Sequence, residues 1–511
     1  MIGVAADRER KGLAPLGLLA TQYQAANTYG WDTVSAVKLG VMNNAIAEAG
    51  SSPEGYSWRD DTQGYGVTAR FGHWRIGYGG DGRMLHMELP LEDIEVWYGD
   101  KRWSGAVTAT VQVELHFLPP LLSSGSAPTN LEGGRLNRLV IRDRKVAPLQ
   151  VMPGVCSSIS DDDLPVASVL RLHDGKGGEI SLDLYQRAII KQGLQDWLAD
   201  NLAAFSHVFA TVSVYQNFTG DFAWLKPTYV TYHFQAHDQD PEQSVFAILA
   251  QTGGRTADQL AEQISPFAIP PDADAAFLIS PERMLGDMLM PALPAAFEGL
   301  KANQLEFDEG ELEVKARTQA KLKSFEHDGK KMSAVLETLQ VRLQGSEMLM
   351  ESQTACEVSR GVFSVCSAKA GYHIGLVRNS NGEPTLAYRE SRDPIFHDFV
   401  RKSDDVALLE KVLGWITAVA GILAFVPGVN GVAVPVLIIA ALVSGGGLLS
   451  MKLIQAIHRD DAPPLNALVD QARAAVTWPQ EGEFELRTAE LNGALQIAGV
   501  LHSAKTKDQQ E

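Results

Sequence analysis

Forty consecutive residues, Val412 to Met451, contain no Asp, Glu, Lys, Arg or His. Positive charge is scarce everywhere: 44 Lys and Arg face 62 Asp and Glu, for a net charge of −18. Such a surface repels polyanions, which excludes general nucleic-acid binding and opposes non-specific adhesion to anionic lipid. Cysteine is nearly absent. Cys156, Cys356 and Cys366 are odd in number and none is in C-x-x-C spacing, so neither a disulfide framework nor a zinc site is expected. No G-x-S-x-G, P-loop, H-E-x-x-H or EF-hand pattern occurs. Asp161-Asp162-Asp163 reads as a solvated acidic loop, and His86, His116 and His207 lie in strand-like runs as ordinary histidines. The expectation is a protein that is not an enzyme and needs no metal or cofactor. The first residues, MIGVAADRERKGLAPLGLLA, make a poor cleavable leader, so cytosolic synthesis is expected, with release by lysis or export without a cleaved leader left open.

The composition that remains, 45% apolar and 21% charged, is that of a folded protein, and 511 residues exceed one compact core. Residues 1–26 read as a lead-in. Val34, Val37, Val41 and Ala45 recur at helical spacing and predict a helix over 32–48. From Ala106 to Phe117 apolar and polar residues alternate strictly, the mark of a strand with one buried face in an antiparallel sheet. Shorter strand-like runs follow at 138–142, 165–172, 179–185, 207–216 and 228–235. A second helix is expected from about Gln186 to Phe205. A third opens at Ser280-Pro281-Glu282, with Ser as N-cap and Pro in the first turn, and should kink or end at Pro291 and Pro294. Alternation returns over 311–345 and 350–377, and Asn492-Gly493 predicts a closing hairpin turn. The reading is α+β: long helices among antiparallel strands, in two helix-plus-sheet halves. One half covers 27–240. The other joins 241–403 to 463–511 around an inserted segment, 404–462.

The uncharged stretch divides at Pro427-Gly428-Val429-Asn430-Gly431 into two arms, with charges only at its outer ends. As a helix the first arm is roughly 22 Å long, short of a bilayer core of about 30 Å. An apolar hairpin fits, with Trp415, Ile416, Leu423, Phe425, Val426, Val429, Val434, Leu437 and Ile438 as candidate lipid or membrane contacts. Its destination stays open between the protein's own interior, a membrane and a partner. Arg135, Arg138, Arg142, Arg144 and Lys145 cluster within eleven residues. On a strand Arg138, Arg142 and Arg144 share a face and could hold an anionic headgroup, or pair with nearby carboxylates.

Four segments carry a family resemblance: Asn27-Thr28-Tyr29-Gly30-Trp31-Asp32-Thr33-Val34, Trp224-Leu225-Lys226-Pro227-Thr228, Phe277-Leu278-Ile279-Ser280-Pro281-Glu282, and Trp478-Pro479 with the closing run Phe484 to Gly499. In this order they resemble the clostridial p-forty-seven family, companion proteins encoded beside orf-X type botulinum neurotoxin genes. That family resembles the tubular lipid-binding (TULIP) superfamily. The resemblance implies long helices wrapped by strongly curved antiparallel sheets, with an apolar groove for acyl chains. Groove candidates are then Val34, Val37, Val41, Met284, Leu285, Met288 and Leu289, methionine being adaptable to varied chains. The segment from about Asp404 to Asp461 departs from typical members and looks inserted. The expected function is a non-enzymatic accessory protein that binds phospholipid or a membrane surface. The alternative is a scaffold that assembles with related proteins of the same gene cluster and holds no lipid.

Overall fold

The structure, a computed structural model, describes residues 25–118, 136–142, 167–213, 220–237, 240–297, 299–322, 324–327, 330–402, 464–479 and 481–503, together with Ile439 and Leu442. Strands dominate these residues. A 13-stranded sheet runs in the order Pro227–Gln235, Val245–Thr252, Thr33–Lys38, Ala275–Ile279, Ala494–Ser503, Glu481–Asn492, Val362–Arg378, Glu347–Ser359, Ala334–Gln344, Glu313–Ala316 and Leu305–Asp308. Pro384–Lys402 pairs beside Val362–Arg378, and Ala320–Lys321 beside Ala334–Gln344. A nine-stranded sheet is centred on the long hairpin Met84–Tyr98 and Lys101–Leu118. All strand pairings are antiparallel among the described residues.

The helices are few and short among the described residues: α1 (Leu39–Ala49), α2 (Leu184–Asn201), α3 (281–296) and α4 (Asn466–Ala475). This corrects the α+β, TULIP-like expectation of long helices wrapped by sheets. The larger sheet is instead a curled antiparallel half-barrel, and the longest of these helices has 18 residues. Part of the error is physical. Val34 and Val37 belong to a central strand, Thr33–Lys38, with neighbours on both edges. Both faces of that strand are buried, so its apolar residues do not alternate, and a short continuous apolar run has no period that separates helix from strand. The helix begins only at Leu39. Likewise 179–185 forms no strand: Asp183 caps α2 by accepting from Gln186 N–H at 2.8 Å, while Gln186 Oε1 accepts from Asp183 N–H at 3.0 Å.

Other expectations match. The alternating run from Ala106 to Phe117 lies within the strand Lys101–Leu118, and Asn492-Gly493 turns between the two closing strands, with Gly493 at φ +78°. Ser280 Oγ accepts from Arg283 N–H at 3.2 Å and caps α3. That helix does not end at Pro291. It passes through a π-turn, Met284–Leu289, which shifts the hydrogen-bond ladder so that Met290 N–H bonds the Leu285 carbonyl. Pro291, which has no N–H, sits at that step.

Three apolar clusters hold the fold. One fills the space between the smaller sheet and one face of the larger, with Val37, Trp74, Phe209, Tyr232 and Phe246. A second packs α3 and α4 into the curl of the larger sheet. The third lies on the opposite face, with Trp31, Val34, Leu249 and Leu278. Strands cross between the parts. Thr33–Lys38 is laid between Val245–Thr252 and Ala275–Ile279, and the late strand Val476–Thr477 extends the smaller sheet.

Candidate functional site

The groove candidates do not converge on a groove. Val34 and Val37, three apart on a strand, point to opposite faces: Val34 into the third cluster at 2% exposure and Val37 into the first at 0%. Val41 is half-buried on α1. Met284, Leu285, Met288 and Leu289 are between 0 and 1% exposed, packed inside the second cluster. Their neighbours there are the protein's own side chains, including Phe297, Leu339, Tyr372 and Leu495. A cleft between α4 and the larger sheet, lined by Phe277, Val469, Ala472, Trp478 and Phe484 among others, has a volume of about 40 Å³. That is room for a few waters, well below the several hundred Å³ that bound apolar ligands need.

The hairpin candidates Trp415, Ile416, Leu423, Phe425, Val426, Val429, Val434, Leu437 and Ile438 lie outside the described residues. Two other members of the uncharged stretch are described. Ile439 and Leu442, one helical turn apart, are 0 and 1% exposed and belong to the same cluster as α3. Part of the stretch is therefore rooted in the core.

Arg138 and Arg142 lie in and just after the strand Leu136–Ile141 and share its half-buried face, as the alternation requires. Arg142 Nη1 pairs with Glu114 Oε2 at 3.1 Å, the local carboxylate partner that an acidic chain supplies readily. Arg144 and Asp161-Asp162-Asp163 fall outside the described residues.

Burial holds two thiols and one imidazole in their neutral forms. Burial pushes the thiol of Cys356 up to about 11 and that of Cys366 up to about 12, which suppresses their thiolates at neutral pH. Burial likewise lowers the His207 imidazole to about 4. Its ring lies 5.1 Å from that of Phe209 and 6.0 Å from that of Phe205, and its Nε2 has no hydrogen-bond partner among the described residues. The unfolded chain would protonate His207 near pH 6.5, the folded chain only near 4. Its contribution to stability is thus complete above about pH 6.5 and declines as the pH falls, by about 2 kcal/mol at pH 5. Urea denaturation should show His207→Phe losing less stability than the wild type between pH 7 and pH 5. Equal losses would remove His207 from the acid response.

The residues that carried the family resemblance do structural work that their spacing did not announce. Asp32, 1% exposed, accepts hydrogen bonds from Arg255 Nη1 at 2.9 Å, Arg283 Nη2 at 3.0 Å and Thr252 N–H at 2.7 Å. Arg283 Nη1 also reaches Asp287 Oδ2 at 2.8 Å, and Arg255 pairs with Glu309. The turn before Asp32 is shaped for the purpose. Gly30 takes φ +86°, its carbonyl accepts from Gln251 Nε2 at 2.7 Å, and Trp31 Nε1 donates to the Ala261 carbonyl at 2.9 Å. One carboxylate thus ties the first strand to the strand Val245–Thr252 and to the cap of α3. A single Asp among 62 acidic residues gives no local signal of this.

OrfX3 of Paraclostridium bifermentans is 26% identical over 504 residues, covering 93% of this chain and 98% of that one. OrfX3 of Clostridium botulinum (strain Kyoto / Type A2) is 27% identical over 499 residues, covering 94% and 99%. The solved structure of P47, the p-forty-seven protein, from Clostridium botulinum A2 shares the fold at a TM-score of 0.65 and 14% identity, over 93% of this chain and 98% of that one. The family model described as "OrfX-like: Protein OrfX2/OrfX3/P47" matches residues 28–499, and the chain belongs to that family.

Proposed function

We propose that this member of a family of toxin-cluster accessory proteins is non-enzymatic and works by surface contact with a phospholipid membrane, its own interior remaining closed to lipid. The observation that carries this reading is the contrast between a core filled by the chain's own side chains and a stretch of forty residues without a charge in a chain of net charge −18. Ile439 and Leu442 root the stretch in the folded body. The arm from Val412 to Val426 and the turn at Pro427 to Gly431 supply the contact.

Flotation with liposomes tests this. Trp415→Asp with Phe425→Asp should cut the bound fraction at least about fivefold, each aspartate costing about 2–3 kcal/mol in an apolar environment. Unchanged flotation of the double variant would remove the first arm from membrane contact. A second reading, assembly with related proteins of the same cluster without lipid, is favoured by the filled groove positions. Native mass spectrometry separates the two. Phospholipid carried with the purified protein supports membrane contact, whereas a lipid-free stoichiometric complex with an OrfX or P47 protein supports assembly.

A further inference from the structure

The two most exposed large apolar side chains given by the described residues are neighbours: Leu184 at 83% and Tyr185 at 71%. They occupy the first turn of α2, where a globular helix usually places polar residues, and they are held there firmly. Asp183 caps the helix, and Tyr98 Oη donates to Asp183 Oδ2 at 2.6 Å. The Tyr98 and Tyr185 rings stack with centroids 5.6 Å apart, and Lys101 Nζ sits 5.4 Å from the Tyr98 centroid. Tyr98 and Lys101 are opposite each other beside the turn of the long hairpin, and Trp103 shares their face. Trp97 and Arg102, also opposite each other, share the other face.

The result is a convex tip: an aliphatic and an aromatic side chain projecting, half-buried Trp and Tyr rings behind them, and charges around the rim. The rim is balanced, with Lys101 and Arg102 against Asp100 and Asp183. A projecting Leu backed by Trp and Tyr is the composition that settles at the boundary between headgroups and acyl chains. A protein partner would instead need a matching recess, and an anionic surface would be opposed by the two carboxylates and by the net charge of −18. A zwitterionic headgroup suits the rim: its phosphate meets Lys101, and its quaternary ammonium meets the outer face of Tyr185 and Asp183.

We propose that this tip is a docking surface for a zwitterionic phospholipid bilayer, separate from the uncharged stretch. The proposal rests on the membrane reading above but names different residues, so each can fail alone. The probe is phosphatidylcholine vesicles with the full chain. Leu184→Asp combined with Tyr185→Ser should lower vesicle partitioning about tenfold, with the melting temperature falling by no more than about 4 °C for the lost Tyr98–Tyr185 stack. In the wild type, hydrogen exchange at residues 98–103 and 183–188 should slow when vesicles are added, which decides the matter even if the variant folds poorly. A variant that floats like the wild type, with no protection at the tip, would overturn the proposal and leave the uncharged stretch as the contact. A wild type that does not float would overturn both. Normal vesicle binding with loss of a complex to a related P47 protein would make the tip a protein interface and also overturn it.

Discussion

Replacing Asp32 by alanine should destabilise the protein by about 3–5 kcal/mol, the usual cost of removing one partner from a buried ion pair. The reason is the pair of cations left behind. Arg283 has a side chain only 10% exposed and Arg255 one 36% exposed, and each currently meets an Asp32 oxygen near 3 Å. Without the carboxylate, Arg283 keeps Asp287 and the Thr252 carbonyl, and Arg255 keeps Glu309, but the positive charge at the centre loses its balance. The Thr252 N–H, buried and bonded at 2.7 Å, would also lose its acceptor. Asp32→Asn should be milder, since an amide oxygen still accepts. Urea denaturation is the measurement. A loss under about 1 kcal/mol for alanine would mean that water replaces the carboxylate and that the node is not what joins these strands.

Truncating Leu442 or Ile439 to alanine should each cost about 2–5 kcal/mol, as for other fully buried aliphatic side chains. Both belong to the cluster that contains α3 and α4, so their loss would leave a void within that cluster. The experiment is run on lipid-free protein. A change within about 0.5 kcal/mol, the range of surface substitutions, would show that this part of the uncharged stretch leaves the body in solution. The same pair of variants separates rooting from membrane contact. They should weaken the fold while leaving flotation of the surviving native protein intact, the reverse of what is expected for Trp415→Asp.

Much of the strand content was legible because half-buried strands write their environment into the sequence. The alternation from Val107 to Phe117 could be read directly, and so could the cap at Ser280 and the turn at Asn492-Gly493, since each rests on local chemistry. The centre of the larger sheet was not legible. Val34, Val37, Phe246 and Ile248 are covered on both faces, and such strands lose the period-two signal that would identify them. The curvature of the sheet was expected only through the family resemblance and not from residue pattern, since the strand Thr33–Lys38 pairs with partners more than two hundred positions away. The same holds for the candidate sites. Arg138 and Arg142 share a face by the two-residue period of a strand, but whether Arg142 had a carboxylate beside it depended on Glu114, 28 residues earlier. The exposed Leu184 and Tyr185 were read as part of a strand-like run because the Asp183 cap, which reverses that assignment, needs only one residue to act.

The first strand of this protein leaves the ribosome long before either of its neighbours exists. Thr33–Lys38 waits for Val245–Thr252 and Ala275–Ile279, and the sheet beside them is finished only by Ala494–Ser503. During synthesis the nascent chain therefore carries an unmated apolar strand across most of its own length, and a product stopped short of residue 494 would expose a raw sheet edge. Slow maturation, reliance on chaperones and rapid clearance of truncated chains are the expected consequences of joining both ends of the polypeptide in one seam.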